Sequence, residues 1–436
     1  MDKKKWISIR ISFLIVILFS GLLTDSLNAQ INTSETDSTQ KSAIRLFIDC
    51  PGGCDMDYIR EEIPYINYVR DVHEAQLYLL ITRHSTGSGG RSYSLFYSGQ
   101  LEFSGMKDTL YYFSSPDDTQ DIIRERLTNT IALGLIRYVA RTPIRSRVLV
   151  SYIGERQDRP EQVADEWNYW VFQIEFAPKF KLEQRNKEFA WDLEIDADRI
   201  TADWKIENEF EYDQELEIFI REKYDSETGE TVKTRTEAVT KSWKIDNKTV
   251  RSLSDHWSAG MRSEVRSSSY RNLDLRVSWT PAIEYNIFPY SQYNQRSFYI
   301  QYGLGYVYNN YVDTTVYNKT NEKLFEQSLD IRLRVQQSWG FSEIRLRASN
   351  YLHDFQKNYL EFRGDLNFRL FRGFSLSVTG RMALIHNQIE LPKGDRSAEE
   401  IYLRLRELET NYRYELGIGL KYTFGSIYNN IVNPRF

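Results

Sequence analysis

Apolar and charged residues alternate along residues 202–220, ADWKIENEFEYDQELEIFI. Trp204, Phe210 and Ile218 lie on even positions with other apolar residues, whereas most odd positions carry an acidic side chain. A period of two is typical of a β-strand with one apolar face and one polar face. The same pattern recurs from residue 167 onward and predicts about twelve strands, at residues 170–182, 189–200, 202–220, 233–247, 254–267, 271–288, 297–313, 323–338, 341–356, 358–371, 373–391 and 413–425.

The connections between these strands favour an all-β transmembrane antiparallel barrel. RITA, SWGF and FRGF are short, whereas REKYDSETGETVK, DTTVYNKTNEK and PKGDRSAEEIYLRLRELETN are long and polar, and the last contains a candidate helix, SAEEIYLRLREL. Short turns on one side and long loops on the other, with an even number of strands, are typical of outer-membrane barrels. An antiparallel sandwich with a solvated face also alternates. Long strands with aromatic ends favour the barrel, although Pro178 and Pro281 each remove a backbone donor.

The chain before the strands divides into an export signal, two linkers and a small domain. Residues 1–29 have a basic start, an apolar stretch and small residues at the end, which predicts a signal peptide. An uncleaved anchor is the alternative, but the apolar stretch is shorter than the about 20 residues of a spanning helix. Residues 30–42 and 146–166 read as linkers around an α/β domain at 43–145, and the barrel covers 167–436. That domain is expected in the periplasm, with strands in AIRLFID, EAQLYLLITR and RSYSLFYSG and a helix in DDTQDIIRERLTNTIALGLIRYVAR.

Composition and cysteine content narrow the function classes further. The net charge of -5 and the pI near 5.8 give no nucleic-acid footprint. Aromatic residues make up 14% of the chain although the mean hydropathy is -0.54, a combination that suits alternating barrel strands. Cys50 and Cys54 are the two cysteines, and in an exported chain they can form a disulfide across a Pro-Gly-Gly turn. A metal site is the alternative, but two thiols supply half of a tetrahedral set.

The polar face of the predicted strands carries charge of opposite sign in its two halves. Early strands contribute acids: Asp192, Glu194, Asp196, Glu207, Glu209, Glu211, Asp213, Glu215 and Glu217. Later strands contribute bases: Arg262, Arg266, Arg276, Arg332, Arg334, Arg345, Arg347, Arg363, Arg369 and Arg413. Around a closed ring an acidic wall would face a basic wall. This arrangement predicts either a paired polar core that fills the barrel or a conduit with a transverse field for small or zwitterionic solutes.

No catalytic motif accompanies these charges. The five histidines are His73, His84, His256, His353 and His386, and none lies in a nucleophile elbow or an HExxH motif. HSTGSGG lacks the lysine of a phosphate loop and reads as a hairpin tip. We therefore expect no enzymatic activity, no cofactor and no metal. A hydrolase in the outer membrane that acts on lipid or peptide is the alternative.

Several segments resemble a functionally unassigned family of Bacteroidota outer-membrane β-barrel proteins. They are CDMDYIREEIPYINYVRD, EWNYWVFQIEF, DRITADWKI, EYNIFPYSQ, LPKGDRSAEE and YTFGSIYNNIVNPRF, and the resemblance covers nearly the whole mature chain. It implies a fold and a location in the Gram-negative outer membrane, but no activity. Gly419, Tyr422, Phe424 and Phe436 resemble the insertion signal of such barrels, with Gly417 where a polar residue is usual.

Together these features predict a porin-like outer-membrane protein. Its expected function is that of a narrow channel or of an anchor that bridges the envelope. The expected partners are outer-membrane lipid, the barrel assembly machinery during biogenesis and a periplasmic protein bound by the N-terminal domain, with no nucleic acid.

Overall fold

The computed structural model describes residues 43–87, 89–150, 165, 167–224, 231–394, 409–426, 428 and 430. The predicted signal peptide, the linker 30–42 and the candidate helix SAEEIYLRLREL lie outside the described residues. In the described part of the chain, no helix is both long and apolar enough to cross a membrane.

The N-terminal part is a small α/β domain built on a five-stranded sheet of order β2-β1-β3-β4-β5. β1 pairs in parallel with β2 and β3, and the remaining pairs are antiparallel. Its elements are β1 (Arg45–Asp49), α1 (Met56–Glu62), β2 (Asn67–Tyr68), β3 (Leu77–Ser85), β4 (Arg91–Gly99), β5 (Lys107–Ser114) and α2 (Gln120–Val139), with 3-10 helices at Val72–Glu74, Leu101–Phe103 and Pro143–Arg147. The sequence pattern predicted β1, β3, β4 and α2, but not α1 or β5.

Helix α2 covers one face of this sheet. The Thr119 side chain caps its first turn by accepting a hydrogen bond from the Ile122 amide. Ile123, Leu127, Ile131 and Leu135 follow at helical spacing and are buried against the sheet. The domain thus has a core of its own, and its opposite sheet face is left to contact the rest of the chain.

Residues 170–422 form a twelve-stranded antiparallel sheet in which every strand pairs with its neighbours in chain order. The strands are β6 (Trp170–Leu182), β7 (Asn186–Ile200), β8 (Trp204–Tyr224), β9 (Thr231–Ser252), β10 (Trp257–Ser268), β11 (Leu273–Asn286), β12 (Arg296–Tyr311), β13 (Asn321–Gln337), β14 (Gly340–Tyr351), β15 (Asp354–Phe371), β16 (Phe374–Ile385) and β17 (Tyr412–Tyr422). The prediction of about twelve antiparallel strands after a small α/β domain is confirmed. The predicted strand 373–391 is too long, because residues after Ile385 leave the ladder.

The connections alternate less regularly than the sequence pattern indicates. At the end of the sheet near the α/β domain they are 201–203, 253–256, 338–339 and 372–373, with a longer one at 287–295. At the other end, 312–320 and 386–411 are long, but 183–185, 269–272 and 352–353 are short. Tight turns therefore occur at both ends of the sheet.

The first and last strands are edges of the sheet. Among the described ladders none joins β6 to β17, and both strands are exposed, with Ile174 at 72% and Ile418 at 66%. One small domain nevertheless contacts both sides of this seam. Gly89 lies against Val171 at the start of β6, and Arg70 donates to the carbonyl of Ser426 beyond β17. A flat sheet of this size would be about 55 Å wide, so the sheet must be strongly curved to bring both edges to one domain of about 100 residues.

The uncovered face of the α/β sheet docks on the turns of the large sheet. Arg369 forms an ion pair with Asp49 at 2.9 Å, and Arg372 forms one with Glu74 at 2.6 Å. The Asp71 carboxylate accepts a hydrogen bond from the Gly373 amide. These contacts fix the domain across one end of the curved sheet instead of leaving it suspended below.

Further contacts extend this docking to other turns and to residues beyond β17. Gly87 packs on Ile200 so closely that a Cβ at this glycine would lie 2.5 Å from the Ile200 Cβ. The Asn294 side chain donates to Ser94 at 2.9 Å. Tyr428 and Val69 form an isolated antiparallel β-bridge. The docked domain therefore contacts turns and chain ends from β7 to beyond β17.

Candidate functional site

The charged residues predicted for the barrel interior share one face of the large sheet. Cross-strand partners lie on the same face, and the ladders connect β7 to β17 through residues of one parity on each strand. The opposite face is mostly apolar, for example Phe210, Ile245 and Leu360. We call the charged side the polar face.

Strands β7 and β8 place carboxylates directly opposite one another. Five like-charged pairs occur in this ladder: Glu188 with Glu217, Asp192 with Asp213, Glu194 with Glu211, Asp196 with Glu209, and Asp198 with Glu207. Glu175 on β6 extends the row of Glu194 and Glu211 to a third strand. Glu215 faces Ala190 in the same ladder.

Strand β9 supplies a limited number of cations to this acidic region. The Lys244 ammonium lies 2.6 Å from Glu209 and 2.9 Å from Glu211. Lys248 lies 3.0 Å from Glu207. Neither lysine was predicted for the polar face, because the early strands read as acidic throughout in the sequence. Acids farther from β9, such as Asp192 and Glu194, keep the region negative.

Strands β13 to β16 carry a continuous row of arginines. Arg332 pairs with Arg345, Arg345 with Arg363, and Arg363 with Arg381. Like charges directly opposite one another on neighbouring strands are destabilising. We call these four residues the arginine row.

Carboxylates lie in the rows on both sides of the arginine row, and they were not predicted from the sequence. Arg345 binds Asp330 through two nitrogens, with Nε 2.9 Å from Oδ1. Arg332 lies 2.6 Å from Glu343, and Arg381 lies 2.5 Å from Glu361. Arg347 lies 3.5 Å from Asp330 and 3.7 Å from Glu361. Three of the four arginines of the row are therefore paired with carboxylates, although no acid lies between neighbouring arginines within the row.

The remaining predicted arginines have separate roles. Arg262 lies 2.8 Å from Asp246, and Arg266 lies 3.3 Å from Glu264. Arg276 lies 3.9 Å from Glu264 and 3.9 Å from Glu326. Arg334 lies over the Phe341 ring at 5.7 Å, and Arg413 lies 3.9 Å from Glu415. Arg369 differs from the prediction, because it pairs with Asp49 of the α/β domain at the docking interface.

An open cavity of about 640 Å³ lies in the acidic half, away from the α/β domain. Its lining includes Asp192, Asp213, Glu215 and Glu217 together with Tyr270. Carboxylate oxygens of Glu188, Glu215 and Glu217 lie within 4.8 Å of one another. Glu188 is already paired with Lys179 at 2.5 Å, so this group carries no metal assignment. The cavity is an acidic vestibule.

The histidines lie apart from one another and contact groups that position them. His73 Nδ1 lies 2.7 Å from Asp71, and His256 Nδ1 lies 2.7 Å from the carbonyl of Asn286. His386 Nδ1 lies 3.2 Å from the Asn358 side chain, and His353 contacts the Tyr351 ring. His84 contacts the Tyr293 ring at 5.2 Å across the docking interface. These contacts assemble no nucleophile and base.

Two titratable groups at the docking interface have shifted pKa values. Burial and the nearby Arg334 lower the pKa of His84. Burial acts to raise the pKa of Asp71, but hydrogen bonds from the Gly373 amide, the His73 amide and the His73 ring outweigh it and lower that pKa. The docked domain is therefore most stable when His84 is neutral and Asp71 is ionised.

Two further predicted groups are the disulfide, which lies within the α/β domain, and the candidate insertion signal. The sulfurs of Cys50 and Cys54 are bonded, with Cα atoms 5.9 Å apart. Gly417, Gly419 and Tyr422 lie on β17, and the Phe424 ring lies 5.7 Å from that of Tyr422. Phe436 lies outside the described residues.

No family model matches this chain, and no curated protein is similar to it in sequence.

Proposed function

We propose that this chain is a non-enzymatic outer-membrane β-barrel protein that acts as a narrow, charge-selective channel, with its α/β domain in the periplasm. The observation that carries the proposal is the separation of charge on the polar face. β7 and β8 oppose acid to acid in five pairs, while one row across β13 to β16 opposes arginine to arginine.

Stability alone does not account for this separation. Opposite charges across strands stabilise a sheet by roughly 0.2–1 kcal/mol per pair, whereas like charges destabilise it. A polar core that served only to fill the barrel would therefore alternate acid and base in each ladder. The rows that flank the arginine row do alternate, with Arg334 opposite Glu343 and Arg347 between Asp330 and Glu361, but the five acidic pairs and the arginine row itself do the reverse. Their retention supports a role for the field that they create.

In a closed ring of twelve strands these two groups would lie roughly half a circumference apart. A pore with acid on one wall and arginine on the other orients solutes that carry both charges. Rings and walls of charged side chains also select ions by sign. The proposed solutes are small cations or zwitterions that enter through the acidic vestibule.

The membrane environment and the partners expected from the sequence are part of this proposal. Outer-membrane lipid would contact the apolar face, and the assembly machinery would read the region of Gly419, Tyr422 and Phe424. The resemblance to Bacteroidota outer-membrane barrels supports the same location. The hydrolase alternative gains no support from the histidine contacts described above.

Ion selectivity in planar bilayers tests the channel directly. The refolded full chain, checked by heat-modifiable gel migration, should give stable openings and a reversal potential in a salt gradient. Glu194→Gln with Asp196→Asn should lower the permeability of cations relative to anions. Arg334→Gln with Arg363→Gln should raise it. Lys323→Gln, on the apolar face near the loops, is the control and should change neither.

A folded protein that stays silent under all these conditions would refute the channel. The second candidate is then an anchor that bridges the envelope, and the docked α/β domain is the observation that favours it. An anchor predicts that a periplasmic protein crosslinks to this domain in intact cells. It also predicts that the double variant Arg369→Ala with Arg372→Ala changes the yield of that crosslink.

A further inference from the structure

The chain between β16 and β17 begins with a segment that crosses the polar face. Residues 386–394, which we call the strap, leave the ladder after the His386 amide donates to the Asn358 carbonyl at 2.8 Å. The Val316 amide then donates to Leu391 at 2.9 Å, and the Lys393 amide donates to Thr314 at 2.8 Å. The strap therefore reaches from β16 to the connection between β12 and β13, past the two intervening strands β15 and β14.

Asn272 joins the strap to a second connection. Its side-chain amide donates to the carbonyls of Glu390 and Asp313, both at 2.9 Å, and its oxygen accepts from the Asp313 amide at 2.7 Å. Asn272 has a positive φ of 60° and precedes β11. A single buried side chain thus holds the strap and the connection between β12 and β13 in one arrangement.

Apolar side chains seat the strap on the polar face itself. Ile389 is 1% exposed and packs with Val307, Leu324 and Tyr351, which project from that face of β12, β13 and β14. Leu391 is also buried. Burying two large apolar side chains stabilises the strap against detachment from this face.

Charge complementarity also places the strap. Its Glu390 carboxylate acts electrostatically on Arg266 and Arg276, the two arginines that oppose each other between β10 and β11. The other acids near Arg276, Glu264 and Glu326, lie at 3.9 Å. The strap thus supplies a carboxylate where the wall has an excess of positive charge.

We propose that the strap is a built-in closure that seals the loop end of the interior over β10 to β14 and leaves entry to the acidic vestibule. This role rests on the proposed channel function. The strap meets the basic side of the polar face and leaves the acids of β7 and β8 open, so it restricts the mouth to solutes that tolerate negative charge.

Cysteine labelling tests the closure without any measurement of conductance. Val307→Cys places a reporter beneath the strap, where the native side chain is 1% exposed. Thr379→Cys places a matched reporter on the same face of β16, where the residue is exposed. A water-soluble methanethiosulfonate should label the Val307 reporter at least about ten-fold more slowly, because labelling there requires local opening.

Strap variants test the cause of this protection. Ile389→Gly with Leu391→Gly should accelerate labelling at the Val307 reporter and leave the Thr379 reporter unchanged. Asn272→Gly removes the side-chain hydrogen bonds, adopts the positive φ of this position without strain and keeps the apolar contacts. It should therefore give a smaller acceleration, and it serves if the double variant does not fold. Equal labelling of the two reporters in the chain with a native strap would overturn the proposal. Protection at Val307 in a protein that never conducts would retain the strap and reject the channel.

Discussion

Individual side chains on the polar face lie in unfavourable electrostatic positions, and few cations relieve them. Lys244 reaches two carboxylates at once. Asp192 and Asp213 lie opposite each other with Ser242 as the next residue in the row, and the Ser242 hydroxyl donates to Asp213 at 3.0 Å. A hydroxyl lowers the cost of this pair less than an ammonium would. The acidic vestibule therefore keeps a field at the expense of sheet stability.

A histidine at the docking interface makes stability depend on pH. The folded pKa of His84 lies below its unfolded value of about 6.5, so its contribution is fully present above about pH 6.5. That contribution is lost as pH falls from about 6.5 through the folded pKa, because the docked state then binds fewer protons than the unfolded state. We expect the melting temperature of the full chain to drop between about pH 7.5 and about pH 5.5.

Replacement of the histidine isolates this effect. His84→Gln should show a smaller drop over the same range, whereas His353→Gln, far from the interface, should behave as the parent chain does. If the melting temperatures of the parent chain and His84→Gln fall in parallel as the pH is lowered, protonation of His84 does not oppose docking.

At this scale, the sequence predicted the polar face but not its arrangement. Parity alone places Glu209 and Arg332 on that face, because the side-chain period of a strand is two. Parity cannot give the register between strands that are distant along the chain, so the arginine row and its partners Asp330, Glu343 and Glu361 were missed.

The secondary-structure elements pack with little spare room inside the α/β domain. Gly134 of α2 lies against the buried Tyr97 ring of β4, and a Cβ there would lie 2.2 Å from the ring carbon Cζ. The Tyr97 hydroxyl donates to the Ile131 carbonyl at 3.1 Å, which holds the ring in place. This glycine sets how closely the helix approaches the sheet.

Gly134→Ala should therefore destabilise the domain despite the helix-favouring character of alanine. Overpacking costs roughly 1–3 kcal/mol, which exceeds the gain of about 1 kcal/mol from replacing a helical glycine. Urea unfolding followed by helical circular dichroism measures the change, because the described α-helices lie in this domain.

A second-site change provides the matched control for this clash. In a Tyr97→Leu background the ring is absent, so Gly134→Ala should lose most of its cost or become stabilising. Leu133→Ala, at an exposed neighbouring position, should change stability by less than about 0.5 kcal/mol. An equal cost in both backgrounds would show that Tyr97 is not the obstacle.

The strand elements were predictable because their pattern is long and regular. β6 was predicted with its bounds at residues 170–182, and most other strands agree within a few residues. The failure at 386–391 is instructive, because HNQIEL alternates like a strand. Ile389 instead packs against β12 to β14 and Leu391 is also buried, and alternation does not reveal which surface an apolar residue meets.

For the whole molecule, the ladders indicate how the open seam would close. When paired residues are followed from one strand to the next, the row that starts at Trp170 of β6 passes through Gln327 of β13 and reaches Asn358 of β15. If the last two ladders are continued one residue past the end of β16, the same row reaches Thr410 before β17. Aligning β6 and β17 end to end places Trp170 opposite Phe424, a stagger of about 14 residues. With about 3.3 Å per residue and twelve strand spacings of about 4.8 Å, the strand tilt is about 39°. Membrane barrels have tilts of about 35–45°.

The same alignment suits the side chains on both faces. Lys179 would face Glu415, and Ala177 would face Gly417 on the polar face. On the apolar face Ile174 would face Leu420 and Phe176 would face Ile418. These four pairs join residues of compatible charge or size, whereas Lys181 would face Arg413, a like-charge pair of the kind found in the arginine row.

Paired cysteines test this register in the full chain. Ile174→Cys with Leu420→Cys should form a disulfide under mild oxidation of the reconstituted protein, detected as a crosslinked peptide by mass spectrometry. Ile174→Cys with Leu416→Cys is the matched control and should crosslink weakly, because its partner is displaced by about 13 Å along the strand. Preferential coupling of the control pair would reject the register, and absence of coupling in both would reject the closed seam.

The contacts beyond β17 impose an order on assembly. The Asn430 side chain accepts from the Tyr68 amide at 2.7 Å and donates to the Asn67 side chain at 2.9 Å, so residues that follow every strand fasten to an edge of the domain that precedes them all. The α/β domain has its own core, but the contacts at its β2 edge cannot form until the last strand is in place. In the proposed outer-membrane location, docking of the β2 edge therefore acts as a completion check on biogenesis. A molecule stalled before β17 would leave this edge unsecured, and envelope proteases could recognise it.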